Sequence, residues 1–355
     1  ISRKELLQLF GGQYGFSLNQ RKTIKEIMDT EFLCVNEQAP IEEVSRLAMN
    51  RKIETLYDPV VLVDENKIYK GIVTVSDMLE SIVEIEVDQK TLALRQTNSQ
   101  LQQLNRLAER DLQMAAQVQK NFYPQKAPQT DKYDCAYLFK PMAAVSGDVY
   151  DFYLEDNNLL GLSLLDVSGH GISSGLVGIL AKSITSRQFL QSKSVPLHLV
   201  GNMVNEDLIT EKGKVENYVT GIILRFTETG FDYINAGHPD LLYTDGMYPC
   251  VKVEKQKDFD GKGRFMGISD LSVDFSTISW KTTSGSLLLA YSDCLVESRN
   301  IQGEEFGIER LEKTFNQAPK NSSNACIEYI WDRFQDFTTG VSLADDLTVM
   351  VVKQK

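Results

Sequence analysis

The chain has 355 residues, 42% of them apolar, more than one average domain needs and enough to bury two or three cores. A formal charge of −12 argues against a general affinity for nucleic acid or anionic lipid, and no apolar run approaches the ~18 residues of a membrane span. Five scattered cysteines without CxxC spacing read as reduced cytoplasmic thiols, three histidines without HExxH make a histidine-rich zinc site unfit, and a chain beginning at Ile1 instead of Met is expected to continue upstream.

The first segment carries a truncated internal repeat. GIVTVSDMLESI at 71–82 follows an apolar strand, YDPVVLVDEN at 57–66. ISRKELLQLF at 1–10 aligns with the second half of that pattern, with Ser2 on Thr74, Glu5 on Asp77 and Leu7 on Leu79. IEEVSRLAMNRK at 41–52 has apolar residues at helical spacing, so the repeat unit reads helix, strand, strand, helix. Gly71, Thr74 and Asp77 stand as in the closing motif of the cystathionine-β-synthase (CBS) domain, which residues 1–86 resemble. That resemblance implies a small α/β regulatory module that binds an adenine nucleotide, with Thr74 and Asp77 near phosphate and ribose. The plain alternative is that Thr74 and Asp77 cap the helix beginning near Met78.

Residues 87–122 contain no Gly or Pro and predict a long helix, ended by Pro124 and Pro128. Leu94, Leu101, Ala108, Ala115 and Phe122 recur every seventh position, with Thr97, Leu104, Asp111 and Val118 as the companion row. The polar members and the competing Leu107 and Leu112 make an imperfect coiled-coil seam. The stripe faces either a second copy or the C-terminal part of its own chain, and a homodimer through this linker is the expectation.

From Asp131 the pattern becomes short β-type runs: YDCAYLF, VYDFYL, LLGLSLL, YVTGIILRF, GFDYINAG, DLLYTDG, GSLLLAYS and DLTVMVVK. Helices are predicted at 173–190 and 197–211. Strand runs interrupted by a helix pair imply an α+β fold with mostly antiparallel sheets.

The strand LLGLSLL empties into Asp166 and a loop with three glycines, DVSGHGISSG. A phosphate-cradling glycine loop favours a lysine there, so the acid points to a metal. EDNN at 155–158 is a turn, and counting outward from Asn157 sets Asp148 opposite Asp166 on neighbouring strands. Two carboxylates at that separation repel unless a cation lies between them. GSLLLAYS likewise runs into Asp293, and Asp345 and Asp346 precede the last strand; if these strands are antiparallel neighbours, four acids converge on one edge. Carboxylates, loop carbonyls and no histidine favour two hard ions, magnesium or manganese, and hydrolysis by an activated water. The absence of a Cys-x5-Arg loop, a Walker lysine and a GxSxG elbow agrees with a reaction that uses no side-chain nucleophile.

SGDVYDF, LLDVSGHG, INAGHPDLLY, LLLAYSDCLVES and ADDLTVMVV, in this order, resemble the metal-dependent protein phosphatases (PPM family). The branch is the bacterial one of the stage II sporulation protein E phosphatase and the stress-response phosphatases of partner-switching systems. The resemblance spans residues 123–355 and implies a β-sandwich flanked by helices, a two-ion Mn2+ or Mg2+ centre and a phosphoserine or phosphothreonine protein as substrate. It implies that Asp166 bridges both ions, the Val167 carbonyl reaches the second, Asp293 and Asp345 complete the first, and Asp148 holds the second directly or through water. Ser146 and Cys294 stand where glycines are usual, and the phosphate-gripping arginine of eukaryotic members has no clear counterpart.

Asp345 fits the ligand position better than Asp346. His170 reads as a loop histidine bonding backbone more than as a proton donor, and NAGHP at 235–239 as a turn whose Asn235 and His238 fix the loop under the site. DFDGKGRF at 258–265 lacks the terminal glutamate of a calcium loop and reads as a surface turn. The expected protein is a cytoplasmic Mg/Mn-dependent Ser/Thr phosphatase, acting on an anti-sigma-factor antagonist by resemblance, with catalysis at Asp148 and Asp166 and regulation from the N-terminal sensor. The rivals are a non-catalytic or inhibited signalling scaffold that senses an adenine nucleotide, for which Cys294 is the main ground. Neither nucleic acid nor membrane is expected as a partner.

Overall fold

The computed structural model describes residues 3–28, 30–253, 265–269 and 274–355, so Ser2 and all of the 258–265 segment but Phe265 lie outside the described residues. It divides into two compact units, Ile1–Asn105 and Arg106–Lys355.

The first unit starts with α1 (Arg3–Gly11), α2 (Gly15–Asn19) and α3 (Ile24–Ile27). A three-stranded sheet follows, built from β1 (Cys34–Asn36), β2 (Val60–Val63) and β3 (Tyr69–Val73), with α4 (Ile41–Met49) between β1 and β2. β1 runs parallel to β2, and β2 antiparallel to β3. Val35, Val44, Ala48, Val60 and Met78 form its small core. The expected helix, strand, strand, helix order is present as α4, β2, β3 and the start of α5 (Val75–Phe122). α5 is one uninterrupted 48-residue helix, running from this sheet through the predicted linker to the turn before Pro124. Its first turn is closed by Thr74 and Asp77: the Thr74 N–H and hydroxyl both donate to Asp77 Oδ2 (2.9 and 2.7 Å), and the Asp77 N–H donates back to Thr74 Oγ1 (3.2 Å). This is a reciprocal helix cap.

The second unit is a sandwich of two five-stranded sheets. In chain order its elements are β4 (Tyr133–Lys140), β5 (Val149–Glu155), β6 (Asn158–Val167), α6 (Ile172–Gln191), α7 (Leu197–Lys212), β7 (Val219–Phe226), β8 (Gly230–Ala236), β9 (Leu241–Thr244), β10 (Val251–Val253), β11 (Ile278–Lys281), β12 (Leu287–Tyr291), α8 (Cys294–Glu297), α9 (Ile308–Gln317), α10 (Ser323–Phe337) and β13 (Leu347–Gln354). One sheet has the order β11-β8-β7-β6-β5, the other β10-β9-β12-β13-β4. α6 and α7 pack on the first, α9 and α10 on the second. β6 is covered by β-sandwich core on one face and by α6 on the other, which explains its nearly unbroken apolar run. β10, β11, α9 and α10 were not among the predicted elements. IERLEKTF and ACIEYIWDRF carry the helical apolar spacing that reveals α9 and α10, with Leu311, Phe315, Ile327, Ile330 and Phe334 buried on the sheet.

The β5–β6 hairpin turns more tightly than the counted turn. Its two central residues, Asp156 and Asn157, have φ of 46° and 65°, as in a two-residue type I′ turn. That turn centres between 156 and 157 and by itself would place Asp148 opposite Leu165. A register shift between Tyr153 and Leu154 then restores Val149 to Leu165, and with it Asp148 to Asp166. Among the described residues no helix is long and apolar enough to cross a membrane.

Candidate metal centre

The acids meet at one end of the sandwich, but from two sheets and not from one edge as predicted. Asp148 precedes β5 and Asp166 is next to last in β6. Asp293 follows β12, and Asp345 and Asp346 precede β13, whose antiparallel pairing of Tyr291 with Val349 brings them together. Two bonds fasten the sheets here. The Thr348 hydroxyl donates to Asp148 Oδ2 at 2.5 Å, and the Gly147 N–H donates to Asp346 Oδ2 at 2.8 Å.

The two neighbouring acids before β13 have different work. Asp346 is buried and takes the N–H groups of Met142 (2.7 Å) and Gly147, so it stitches the 141–147 loop to the second sheet. Asp345 is exposed, and one of its oxygens accepts the N–H of Asp346 (2.8 Å). Asp166 stands opposite Thr220 in the β6–β7 pairing, and the Thr220 side chain slightly opposes the rise of its carboxyl. Thr220 Oγ1 also lies 3.3 Å from Nδ1 of the buried His238. Asn235 closes the NAGHP turn by accepting the His238 N–H (2.8 Å) and donating to its carbonyl (3.1 Å). The turn thus delivers His238 to the residue beside Asp166. His170 is exposed on its loop.

Both glycine replacements are accommodated. The Ser146 hydroxyl accepts the Asp148 N–H at 3.1 Å, and the buried Cys294 thiol donates to the Asp345 carbonyl at 3.2 Å. Burial pushes that thiol up to about 12. Gly147 is required by close approach: a Cβ there would lie 2.9 Å from the Val167 carbonyl oxygen and 3.5 Å from Ser174 Cβ. The absent side chain leaves room beside the Val167 oxygen.

Electrostatically the cluster is unbalanced. Burial, and then the charge of Asp166, holds the Asp148 carboxyl well above the usual range, although Thr348 opposes this. Asp166 is pushed up to about 7 by burial and then by Asp293, Asp345 and Asp346. Asp293 is raised by burial and Asp345. Among the described residues no lysine or arginine forms an ion pair with these acids. Nor do any three Asp, Glu, His or Cys side chains among the described residues stand together closely enough to hold one metal ion between them. The donors are all hard oxygens whose mutual repulsion a divalent cation would relieve, so the residues fit such an ion.

Two side chains that sequence reasoning passed over, one in the last turns of α5 and one just past its end, reach this centre. Gln119, 3% exposed, brackets Ser146: its Nε2 donates to the Ser146 carbonyl (2.7 Å) and its Oε1 accepts the Ser146 N–H (2.9 Å). The Tyr123 hydroxyl donates to the Asp148 carbonyl at 2.6 Å. Nothing in the helix marks Gln119 among its many glutamines. Thr348 had a signal, a lone hydroxyl in the apolar run LTVMVV, and Thr220 needed the β6–β7 pairing across an intervening helix pair.

The sequence profile of "Stage II sporulation protein E (SpoIIE)" matches residues 156–355, more than half of the chain. The chain belongs to the SpoIIE family. A CBS domain profile matches residues 24–84, so this SpoIIE-type phosphatase domain follows a CBS domain. The chain is 28% identical to phosphoserine phosphatase RsbP of Bacillus subtilis over 200 residues, 55% of this chain and 47% of that protein. It is 25% identical to phosphoserine phosphatase RsbU of the same organism over 252 residues, 69% of this chain and 70% of that one. It therefore spans about half the length of RsbP. Among solved structures, the SiaA-PP2C domain of Pseudomonas aeruginosa superposes with a TM-score of 0.61 at 16% identity, covering 70% of this chain and 98% of that one. The PP2C phosphatase domain and regulatory fragment of SpoIIE from Bacillus subtilis gives 0.52 at 14%, covering 63% of each. These likenesses establish the PP2C-type sandwich.

Proposed function

We propose that this SpoIIE-family chain is a protein phosphatase that hydrolyses phosphoserine or phosphothreonine, with Asp148, Asp166, the Val167 carbonyl, Asp293 and Asp345 as the ligands of two divalent ions, Mn2+ or Mg2+. The observation that carries the reading is the convergence from two sheets of mutually repelling carboxylates, Asp148 buried and Asp166 and Asp293 half-buried, with no cationic side chain paired to them among the described residues. Bound there, the ions supply an acidified water and countercharge for the phosphoryl group. The chain's own part is placement. Thr348 orients Asp148, Thr220 faces Asp166 across the β6–β7 pair, Gly147 leaves room beside the Val167 oxygen, and Asp346 locks the 141–147 loop. Cys294, the main ground for a non-catalytic scaffold, bonds the Asp345 carbonyl, which favours the catalytic reading. The likeness to two phosphoserine phosphatases supports a phosphoprotein substrate, with a serine-phosphorylated anti-sigma-factor antagonist as its proposed identity.

The proposed organisation is sensor (1–86), helical linker (87–122) and phosphatase (123–355). Regulation through α5 is supported by Gln119 and Tyr123, which grip the peptide groups on both sides of Gly147. Dimerisation through α5 is supported by exposed Leu94, Leu101, Leu104 and Val118; Leu101→Asp with Leu104→Asp should then halve the mass seen by light scattering. The five free thiols support a cytoplasmic setting. The adenine-nucleotide expectation draws support from the CBS match alone, since Thr74 and Asp77 are engaged with each other in the cap. The deciding test is hydrolysis of a phosphoserine peptide with and without manganese, in the parent chain and in Asp166→Asn and Asp293→Asn. Manganese-dependent turnover lost in both variants is expected; turnover that survives both refutes the assigned centre.

A further inference from the structure

Beside the last turns of α5 the second unit holds a cavity of about 670 Å³, within the range of small-molecule sites. Its inner wall is aromatic. The Tyr123 ring centroid lies 4.7 Å from that of Phe139 and 5.2 Å from that of Tyr150, and Tyr137 lies 4.8 Å from Tyr150. The polar tips of two of these rings are already engaged. The Tyr123 hydroxyl donates to the Asp148 carbonyl, and the Tyr137 hydroxyl to the Pro124 carbonyl at 2.7 Å. What remains for an occupant is ring surface, which favours a flat aromatic body. The cavity is also lined by half-buried Ala116 and exposed Lys120 of α5, and by exposed Pro141 and Ala144 of the loop that Asp346 stitches down.

Lys120 sets the sign of the occupant. It is the one charged side chain among the described residues that line the cavity, and among the described residues it forms no ion pair. The charges that flank lining residues do not offset it. Lys126 is a second exposed cation, Lys140 is directed onto the Trp331 ring, 5.6 Å from its centroid, and Asp151 is paired with the buried Lys182 of α6. Asp148 gives its carboxylate to the Thr348 hydroxyl, and Asp346 gives its own to the Met142 and Gly147 N–H groups.

An occupant would touch the parts that position the centre. Gln119 and Tyr123 line the cavity and also hold the Ser146 and Asp148 peptide groups. A void beside a helix end lacks partner atoms, so filling it adds contacts that keep this end docked. We infer that the cavity is an activator site for a small flat aromatic acid, which strengthens metal binding by holding Gln119 and Tyr123 in place. Its effect on the centre rests on the metal-centre reading; the binding itself does not.

The probe is 8-anilinonaphthalene-1-sulfonate, an aromatic anion, followed by fluorescence on the full chain, with the uncharged N-phenyl-1-naphthylamine as its neutral counterpart. Ala116→Trp fills the cavity from the helix side and is expected to weaken the Kd for the anion at least tenfold. Lys120→Gln changes an exposed side chain and keeps a good helix former, so it decides the matter even if the tryptophan variant does not fold. It is expected to weaken the anion at least threefold and to leave the neutral compound unchanged. No binding of the anion to the parent, an unchanged Kd in either folded variant, or equal weakening of both probes by Lys120→Gln overturns the site. Linkage then tests the effect: the saturating anion is expected to tighten the manganese Kd at least threefold in the parent and not in Ala116→Trp. An unchanged or weaker manganese Kd in the parent overturns the activator role. If the parent binds no manganese, the metal-centre reading fails separately, and the probe affinities still decide the cavity.

Discussion

Replacing Gln119 by Leu keeps the side chain's bulk and helix propensity but strips both partners from the Ser146 peptide group, whose N–H and C=O are met at 2.9 and 2.7 Å inside the fold. A buried polar group left unmatched costs about 1–3 kcal/mol, so two cost about 2–6 kcal/mol if the last turns of α5 stay docked. The helix end relieves that cost by moving away, and it carries Tyr123 and its bond to the Asp148 carbonyl with it. Asp148 sits two residues beyond the broken clamp, so its carboxylate loses its fixed position relative to Asp166. Manganese titration by calorimetry on the whole chain should show an apparent Kd weaker by about tenfold, roughly 1.4 kcal/mol, together with a lower urea midpoint. Gln117→Leu, on the exposed side of the same helix, should change neither. The reasoning is refuted if Gln119→Leu lowers the urea midpoint in full yet leaves manganese affinity and ester hydrolysis per folded molecule at the parent values, because α5 would then hold the unit together without acting on the centre.

With Asp166 pushed up to about 7, metal must displace a proton below that pH, so apparent manganese affinity should fall about tenfold per unit from pH 7 downward; a flat profile between pH 7 and 5 would contradict the assignment. The same raised group makes its contribution to the metal-free fold greatest below the unfolded carboxyl range, and that contribution is lost as pH rises through about 7. Asp166→Asn should therefore raise the melting temperature of the metal-free chain at pH 8 while removing the stabilisation manganese gives the parent, and a lower metal-free melting temperature would show that Asp166 is held by contacts stronger than the repulsion. Among the thiols, exposed Cys34 should react first with a disulfide reagent at pH 8, whereas buried Cys135, Cys294 and Cys326, pushed up to about 12, 12 and 11, should stay silent until denaturant is added. Fast labelling of Cys294 would mean that the loop presenting Asp293 opens readily.

The sequence by itself determined the strands that carry Asp166 or end beside Asp148, Asp293 and Asp345, because apolar runs and turn residues are local properties that survive without a partner. It also pointed to oxygen donors for any metal bound here, since histidines and paired cysteines are scarce. The count that set Asp148 against Asp166 reached the right register through a tighter turn and a compensating shift, which a count from one turn centre cannot separate. Only the tertiary structure decided that the acids belong to two sheets, that Asp346 binds backbone while Asp345 remains exposed, and that Cys294 fits its place. It alone brought Gln119 to Ser146 across 27 positions and Thr348 to Asp148 across 200. Such pairings depend on how sheets stack and where a helix end docks, and no local pattern of residues encodes a contact between segments that meet only when the whole core is packed.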